Sequence, residues 1–226
     1  MRFILSALAA TLTLIVTLSP WSPPPRDERD RQPIQQTSEQ SADLAGSTTI
    51  DGHAYAFIRV GAQTWLAENL LATRDRNGNS LASVSPEGAD KEANLLGRLY
   101  PWDAARKSAP AGWRLPTVKD WQALIVFSGE GLKAGRKLLR TGPGEFGALL
   151  VGGIDVLGRN VGRGERAVFW TSAETSVDQA FCLTIARGGD IQLVPMLKTS
   201  RFSVRLIRDD SPEFGPAAPS PGSSKN

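Results

Sequence analysis

The stretch Pro110-Ala111-Gly112-Trp113-Arg114-Leu115-Pro116-Thr117-Val118-Lys119-Asp120-Trp121 passes from a loop punctuated by Pro and Gly into the strongest helix signal in the chain. Thr117 is an N-cap candidate whose hydroxyl can accept an early amide proton. Asp120 stands at the capping-box position three residues on, where Glu or Gln is commoner. Val118, Trp121, Leu124 and Ile125 then recur at i, i+3, i+4 spacing and define one apolar face. Gly129 or Gly131 can close the helix in a left-handed cap.

Upstream of that helix, Tyr55–Val60 has strand composition, and Gly61 can turn the chain into a second strand at Gln63–Leu66. Residues 74–94 are polar and turn-rich and read as a long loop, and Asp103–Lys107 as a short helix. Downstream, Phe146–Val151, Ala167–Thr171, Ala180–Ala186, Ile191–Val194 and Phe202–Ile207 each read as a short strand. Gly188-Gly189-Asp190 supplies a hairpin turn, and residues 152–166 form a Gly-rich loop. No periodic repeat is visible. The expected fold class is α+β, with one main amphipathic helix, short antiparallel strands and long loops.

The two ends read differently. Arg2 precedes Phe3–Leu18, an uncharged apolar run, so residues 1–19 read as an export signal or a retained N-terminal anchor. Residues 20–47 bring Pro23-Pro24-Pro25, alternating charges and a Gln/Ser/Thr stretch, the composition of a solvated linker. Residues 211–226 hold Pro212, Pro216, Pro219 and Pro221 among small residues and read as a disordered tail. Of the 226 residues, 48–210 therefore make up one domain. The chain is expected to act outside the cytoplasm, in the periplasm or at the cell surface.

Composition narrows the chemistry. A single His and a single Cys leave His53 and Cys182 as the one possible Cys–His pair, too few for a zinc site built from those ligands and too few for an internal disulfide. A net charge of +3 is too weak to argue for nucleic acid without a basic patch. Membrane contact is expected only through the N-terminal segment, if that segment is kept.

The motifs resemble a known family. Gln63-Thr64-Trp65-Leu66-Ala67-Glu68-Asn69-Leu70 and Gly97-Arg98-Leu99-Tyr100-Pro101-Trp102 resemble the opening signatures of the Fibrobacter succinogenes major paralogous domain. Pro110–Thr117 with Trp121 resembles its central motif, and Phe169-Trp170-Thr171-Ser172-Ala173-Glu174 and Phe202-Ser203-Val204-Arg205 are similar to its closing ones. The resemblance implies a bacterial exported domain of C-type-lectin-like architecture, near formylglycine-generating enzymes in fold. It also implies that Ala109 and Leu206 occupy positions where the family commonly has cysteines, so that packing replaces a bridge worth about 2–4 kcal/mol.

Enzymatic relatives of that fold need a cysteine pair or several histidines around iron, and this chain offers neither. Cys182, between Phe181 and Leu183, reads as a small buried residue, and His53 as a turn residue beside Gly52. Asp75-Arg76-Asn77-Gly78-Asn79-Ser80 begins like a calcium loop, but Ser80 replaces the expected Gly and Glu87 falls one place late, so a solvated Asx-rich loop is expected there. Trp65, Trp113, Trp121 and Trp170 are assigned to the core. Trp102 and the loop residues Asp155, Arg159, Asn160, Arg163 and Glu165 are the candidate binding residues. The expectation is a non-catalytic envelope or surface binding module with a glycan, envelope component or protein as partner, and with no cofactor and no metal. An enzyme with an unrecognised site and a structural envelope protein are the alternatives.

Overall fold

One short run near the end of the domain, residues 202–208, is shared between two sheets. The computed structural model describes residues 43–86, 93–142 and 144–208, all within one compact unit. The export segment, nearly all of the linker, Glu87 and the tail lie outside the described residues. In chain order the first elements are β1 (Asp43–Ile50), β2 (His53–Val60), β3 (Gln63–Leu66), α1 (Ala93–Leu96), β4 (Leu99–Tyr100), α2 (Trp102–Lys107), β5 (Trp113–Arg114) and α3 (Val118–Ser128). They are followed by α4 (Gly131–Leu138), β6 (Gly153–Ile154), β7 (Asn160–Val161), β8 (Arg166–Glu174), β9 (Gln179–Ala186), β10 (Ile191–Leu197), β11 (Phe202–Ser203) and β12 (Ile207–Arg208).

The strands build one sheet in the order β1-β2-β3-β12-β5, a second in the order β10-β9-β8-β11-β4, and the small hairpin β6-β7. All pairings are antiparallel except β11 on β8, which meet in parallel at Ser203 and Phe169. Strands take up 37% and helices 17%, so the α+β, C-type-lectin-like expectation with one main helix is corrected to a β-rich fold of curled sheets. Nor is α3 the sole helix of substance. It has the expected Thr117–Asp120 capping box and the Gly129 left-handed cap, and it buries Trp121 and Leu124, yet it leaves Val126 61% exposed. Both α2 and α4 pack beside strands as well.

Four local expectations shift. β1 begins at Asp43, ahead of the expected boundary at 48. Its polar Ser/Thr sequence suits an edge strand and pairs with β2 along its length. Residues 146–151 form no strand. Phe146, Ala148 and Val151 are buried, but the amides of Gly147 and Ala148 donate to the Arg140 and Leu138 carbonyls at the end of α4. β10 runs on through Pro195, which an edge position tolerates because no neighbour needs the missing N–H. Finally, the single strand expected at Phe202–Ile207 splits into β11 in one sheet and β12 in the other.

The residues between them, Val204-Arg205-Leu206, carry the crossing. The amides of Leu66 and Leu70 donate to the Leu206 and Val204 carbonyls at 3.0 and 2.9 Å. The side chain of Arg205 is fully buried. Its Nη1 donates to the carbonyls of Leu66 (3.2 Å) and Phe146 (2.6 Å), its Nη2 to Asn69 Oδ1 (2.8 Å) and the Gly147 carbonyl (3.2 Å), and its Nε to Asn69 Oδ1 (3.3 Å). The guanidinium also lies 4.6 Å from the Phe146 ring centroid and 5.7 Å from that of Phe169. Burial pushes its pKa down to about 9, which leaves it charged at neutral pH.

The core has two parts. Trp102, Trp170, Tyr55, Tyr100 and Phe202 anchor one, in which Leu206 is buried and against which Ala109 packs, so the two positions where relatives commonly carry cysteines lie on one apolar cluster. Trp65, Trp121, Phe146 and Phe169 anchor the other, with the Trp65 and Trp121 rings 4.8 Å apart. Among the described residues Trp121 Nε1 is the one buried side-chain polar atom without a hydrogen-bond partner. The helix α4 was not anticipated because Gly131 and Gly135 look like breakers. Gly135 is needed for contact: a Cβ there would come within 2.0 Å of the Gly189 carbonyl oxygen in the β9–β10 turn, and one on Gly189 within 2.6 Å of the Leu132 carbonyl.

Two consequences can be measured by denaturant unfolding. Gly135→Ala, a change that ordinarily favours a helix by about 0.5–1 kcal/mol, is expected here to destabilise by roughly 1–3 kcal/mol, because backbone blocks the new methyl. A raised midpoint would contradict the close approach. Arg205→Lys keeps the charge but not the planar fork, and is expected to cost about 3 kcal/mol or more, with Arg205→Met no milder. A lysine variant as stable as the parent would mean that charge alone suffices.

Candidate functional site

Two hairpin tips of the domain are built by one turn. At the first, Asp75 Oδ1 accepts the amides of Asn77 (2.8 Å) and Asn79 (2.9 Å), and Asp75 Oδ2 accepts Asn79 Nδ2 (3.1 Å). At the second, Asp155 Oδ1 accepts the amides of Leu157 and Arg159, both at 2.9 Å, and Asp155 Oδ2 is held by Arg159 at 2.7–2.8 Å. Each turn has Gly at the fourth place, with φ 81° at Gly78 and 76° at Gly158. Hydrogen bonds from the Asn79 side chain and the backbone hold the Asp75 carboxyl below the usual range. Those from Arg159 do the same for Asp155. The calcium-like spelling of residues 75–80 is thus an Asx turn whose carboxylate serves its own loop. Among the described residues no three His, Cys, Asp or Glu side chains are grouped so that they could hold a metal ion.

The first tip forms one wall of a groove of about 810 Å³. The opposite wall is the family-like central motif. The end of α2 brings Arg106 and Lys107, the Pro110–Gly112 turn lies across the floor, and β5 presents Trp113 and Arg114, with Thr117 and Ser172 behind. A 2.8 Å bond from the Ser172 amide to the Pro116 carbonyl joins the last two regions. Trp113 is only half-buried, with its ring 5.8 Å from that of Phe57. It packs against the first core cluster, in keeping with the core expectation, and also lines the groove.

Four cationic side chains, Arg76, Arg106, Lys107 and Arg114, line this groove against one carboxylate, Asp75. Arg114 is paired with Asp120 at 2.6 and 3.1 Å. Burial of the Asp120 carboxyl opposes its ionisation, but the Arg114 and Thr117 hydrogen bonds outweigh that and hold its pKa below the usual range. Arg106 reaches Glu174 at 3.2 Å, and Glu174 also accepts Lys198 at 2.7 Å.

A family model described as the Fibrobacter succinogenes major domain matches residues 58–208, from β2 to β12. The chain belongs to that family. No curated protein and no solved structure matches it. Every groove residue of this Fibrobacter succinogenes major domain lies inside the matched segment, as does the second tip.

The predicted site residues lie outside the groove lining. Asp155 and Arg159 satisfy each other in the β6–β7 turn, Asn160 follows in β7, and Arg163 and Glu165 are exposed in the loop beyond. None of these five lines the groove. Trp102 is 1% exposed and offers no stacking face. Its indole N–H donates to the Thr171 carbonyl at 2.8 Å, with Arg106 and Lys198 at 4.7 and 4.6 Å from its ring. His53 opens β2, 3.4 Å from Glu68, away from the groove. Cys182 is buried, and burial pushes its thiol well above the ordinary range. A second cavity, of about 270 Å³, has Glu68, Asn69, Glu145 and Arg205 in its lining.

Asp120 makes the groove's rim pH-sensitive. Because its folded-state pKa is depressed, its stabilisation is present above the ordinary Asp value of about 3.9 and is lost as pH falls through the lower folded-state value. Asp120→Ala is expected to cost about 1–2 kcal/mol at neutral pH. The gap to the parent should close in acid. Thermal unfolding of both proteins across pH checks this, and a gap that is constant down to the lowest pH would assign the loss to something other than the carboxylate.

Proposed function

We propose that this domain is an exported, non-catalytic binding module of the bacterial envelope or surface, and that it takes an acidic glycan in the groove between the Asp75 tip and the β5 segment. The observation that carries this reading is the lining of that groove: a half-buried Trp113 ring, the side chains of Asn77, Asn79 and Ser172, and four cations against a carboxylate already bonded to its own loop. A sugar ring has an apolar face that suits an indole and hydroxyls that suit amide and hydroxyl groups. Carboxylate, phosphate or sulfate substituents would complement Arg76 and Lys107.

The volume suits a ligand of a few sugar units rather than an extended macromolecular interface. Export is supported by the apolar Phe3–Leu18 run behind Arg2. A binding rather than catalytic role is supported by the buried thiol of Cys182, whose pKa burial raises, and by the place of His53 outside the groove lining.

The test is an array of acidic and neutral glycans probed with the full chain. Binding to acidic members is expected, weakened at least tenfold by Arg76→Glu with Lys107→Glu, two exposed positions where the fold should tolerate reversal, and falling as salt rises. Binding that ignores both the reversals and salt would remove the groove from consideration. An array without hits would favour a purely structural envelope role.

A further inference from the structure

The second hairpin tip carries side chains its fold does not require. Asp155-Val156-Leu157-Gly158-Arg159 makes the same turn as Asp75-Arg76-Asn77-Gly78-Asn79, with matching hydrogen bonds from the amide at the fifth place and the Gly amide back to the Asp. The flanking residues pair alike, Arg74 with Ser80 and Ile154 with Asn160. Arg76 and Asn77 at the two central places show that the turn forms with polar residues there. In the second tip those places hold Val156, 49% exposed, and Leu157, 71% exposed. Exposed aliphatics at an apex that could be polar point to a partner that buries them.

The stem is firmly seated. Ile154 and Arg201 exchange backbone hydrogen bonds at 2.9 and 2.8 Å, and Gly153 lies so close to Phe202 that a Cβ would come within 2.2 Å of the ring. The apex is therefore presented on a held support. The hairpin and its flanks supply Arg159, ion-paired with Asp155 but with its side chain 69% exposed, exposed Arg163 and Arg166 in the following segment, and Arg201 against the stem, with Asp155 and Glu165 as the acids. Guanidinium groups flanking a small aliphatic point suit a surface that is anionic outside and apolar just beneath.

We propose that the Val156–Leu157 tip inserts shallowly into an anionic lipid bilayer, with the neighbouring arginines at the headgroups. This attachment is independent of the groove and of the N-terminal apolar run.

That run would bring the full chain to vesicles by itself, so the test reads the tip locally. Leu157→Cys is labelled with an environment-sensitive fluorophore, while buried Cys182 stays unlabelled in the folded protein. Asn77→Cys, at the equivalent place of the polar tip, is the control. With vesicles of phosphatidylglycerol and phosphatidylcholine in equal parts, the probe at 157 is expected to shift to the blue and be quenched by spin-labelled lipid, while the probe at 77 stays aqueous. Pure phosphatidylcholine should weaken the signal roughly fivefold for each arginine that no longer meets an anionic headgroup, and Val156→Ser should reduce it further. The proposal is overturned by an aqueous probe at 157, or by equal shifts at both positions. It is overturned too by a shift at 157 that grows with protein concentration in the absence of lipid, which would make a second copy of the chain the occupant.

Discussion

A buried guanidinium that hydrogen-bonds to no carboxylate is the constraint on which this domain depends. Removing a cation from water is costly, and here every hydrogen bond that offsets the cost ends on a neutral group, with the Glu68 carboxylate favouring the charge through space. All its donors end on the oxygens of Leu66, Asn69, Phe146 and Gly147, while two aromatic rings lie close by. Those oxygens belong to stretches far apart in sequence. One follows β3, another follows α4, and Arg205 itself sits in the crossing between β11 and β12. The side chain thereby sets the distance between the two sheets at the point where one strand run serves both. Five N–H groups in a fixed plane can satisfy such a set of fixed acceptors. Neighbours Val204 and Leu206 belong to one apolar cluster, and Phe146 and Phe169 to the other, so the charged group occupies the seam between two hydrophobic bodies.

Local signals in the sequence translated well where backbone chemistry was explicit. Thr117, Asp120 and Gly129 mark the ends of α3 because capping is a matter of a few adjacent groups. The β2–β3 hairpin, α2 and the β8–β9–β10 meander were legible for the same reason. The failures share a different cause. Gly135 reads as a helix breaker until the β9–β10 turn that presses on it is known, and residues 146–151 read as a strand while bonding to the end of α4. The balance of the fold was misjudged toward helix because β1 is polar and the two-residue strands carry no periodicity of their own.

The site was less legible than the fold. A groove is formed by segments distant in the chain, and nothing in the spelling of residues 75–81 says that they will face residues 106–114. The Gly-rich loop drew attention by composition, yet Asp155 and Arg159 spend their charges on each other. Trp102 is buried where a binding residue is expected, while Trp113 packs against the same cluster and is only partly covered. Both sit in family-like motifs with apolar neighbours, but Trp113 is on the short β5 at a sheet edge, whereas Trp102 opens α2 beneath the β8 carbonyl that receives its indole proton. Edge or interior position, which decides exposure, is a property of sheet order. Arg205 stands in a family-like motif, but nothing in its sequence neighbourhood signals that an arginine there will be enclosed.

The sheet order also sets a timetable for the chain. β12 stands between β3 and β5, and β11 between β8 and β4, so the last described strands fill interior positions of both sheets. A chain made or threaded N-terminus first holds the rest of each sheet as separated pieces until residues 202–208 arrive. Until then Arg205 is absent from the seam, and β5 lacks its partner. Long-range pairings of this kind delay closure, since loop entropy must be overcome before contact rewards it. Neither sheet can therefore be completed before residues 202–208 are available. A fragment ending before Phe202 would have neither sheet complete.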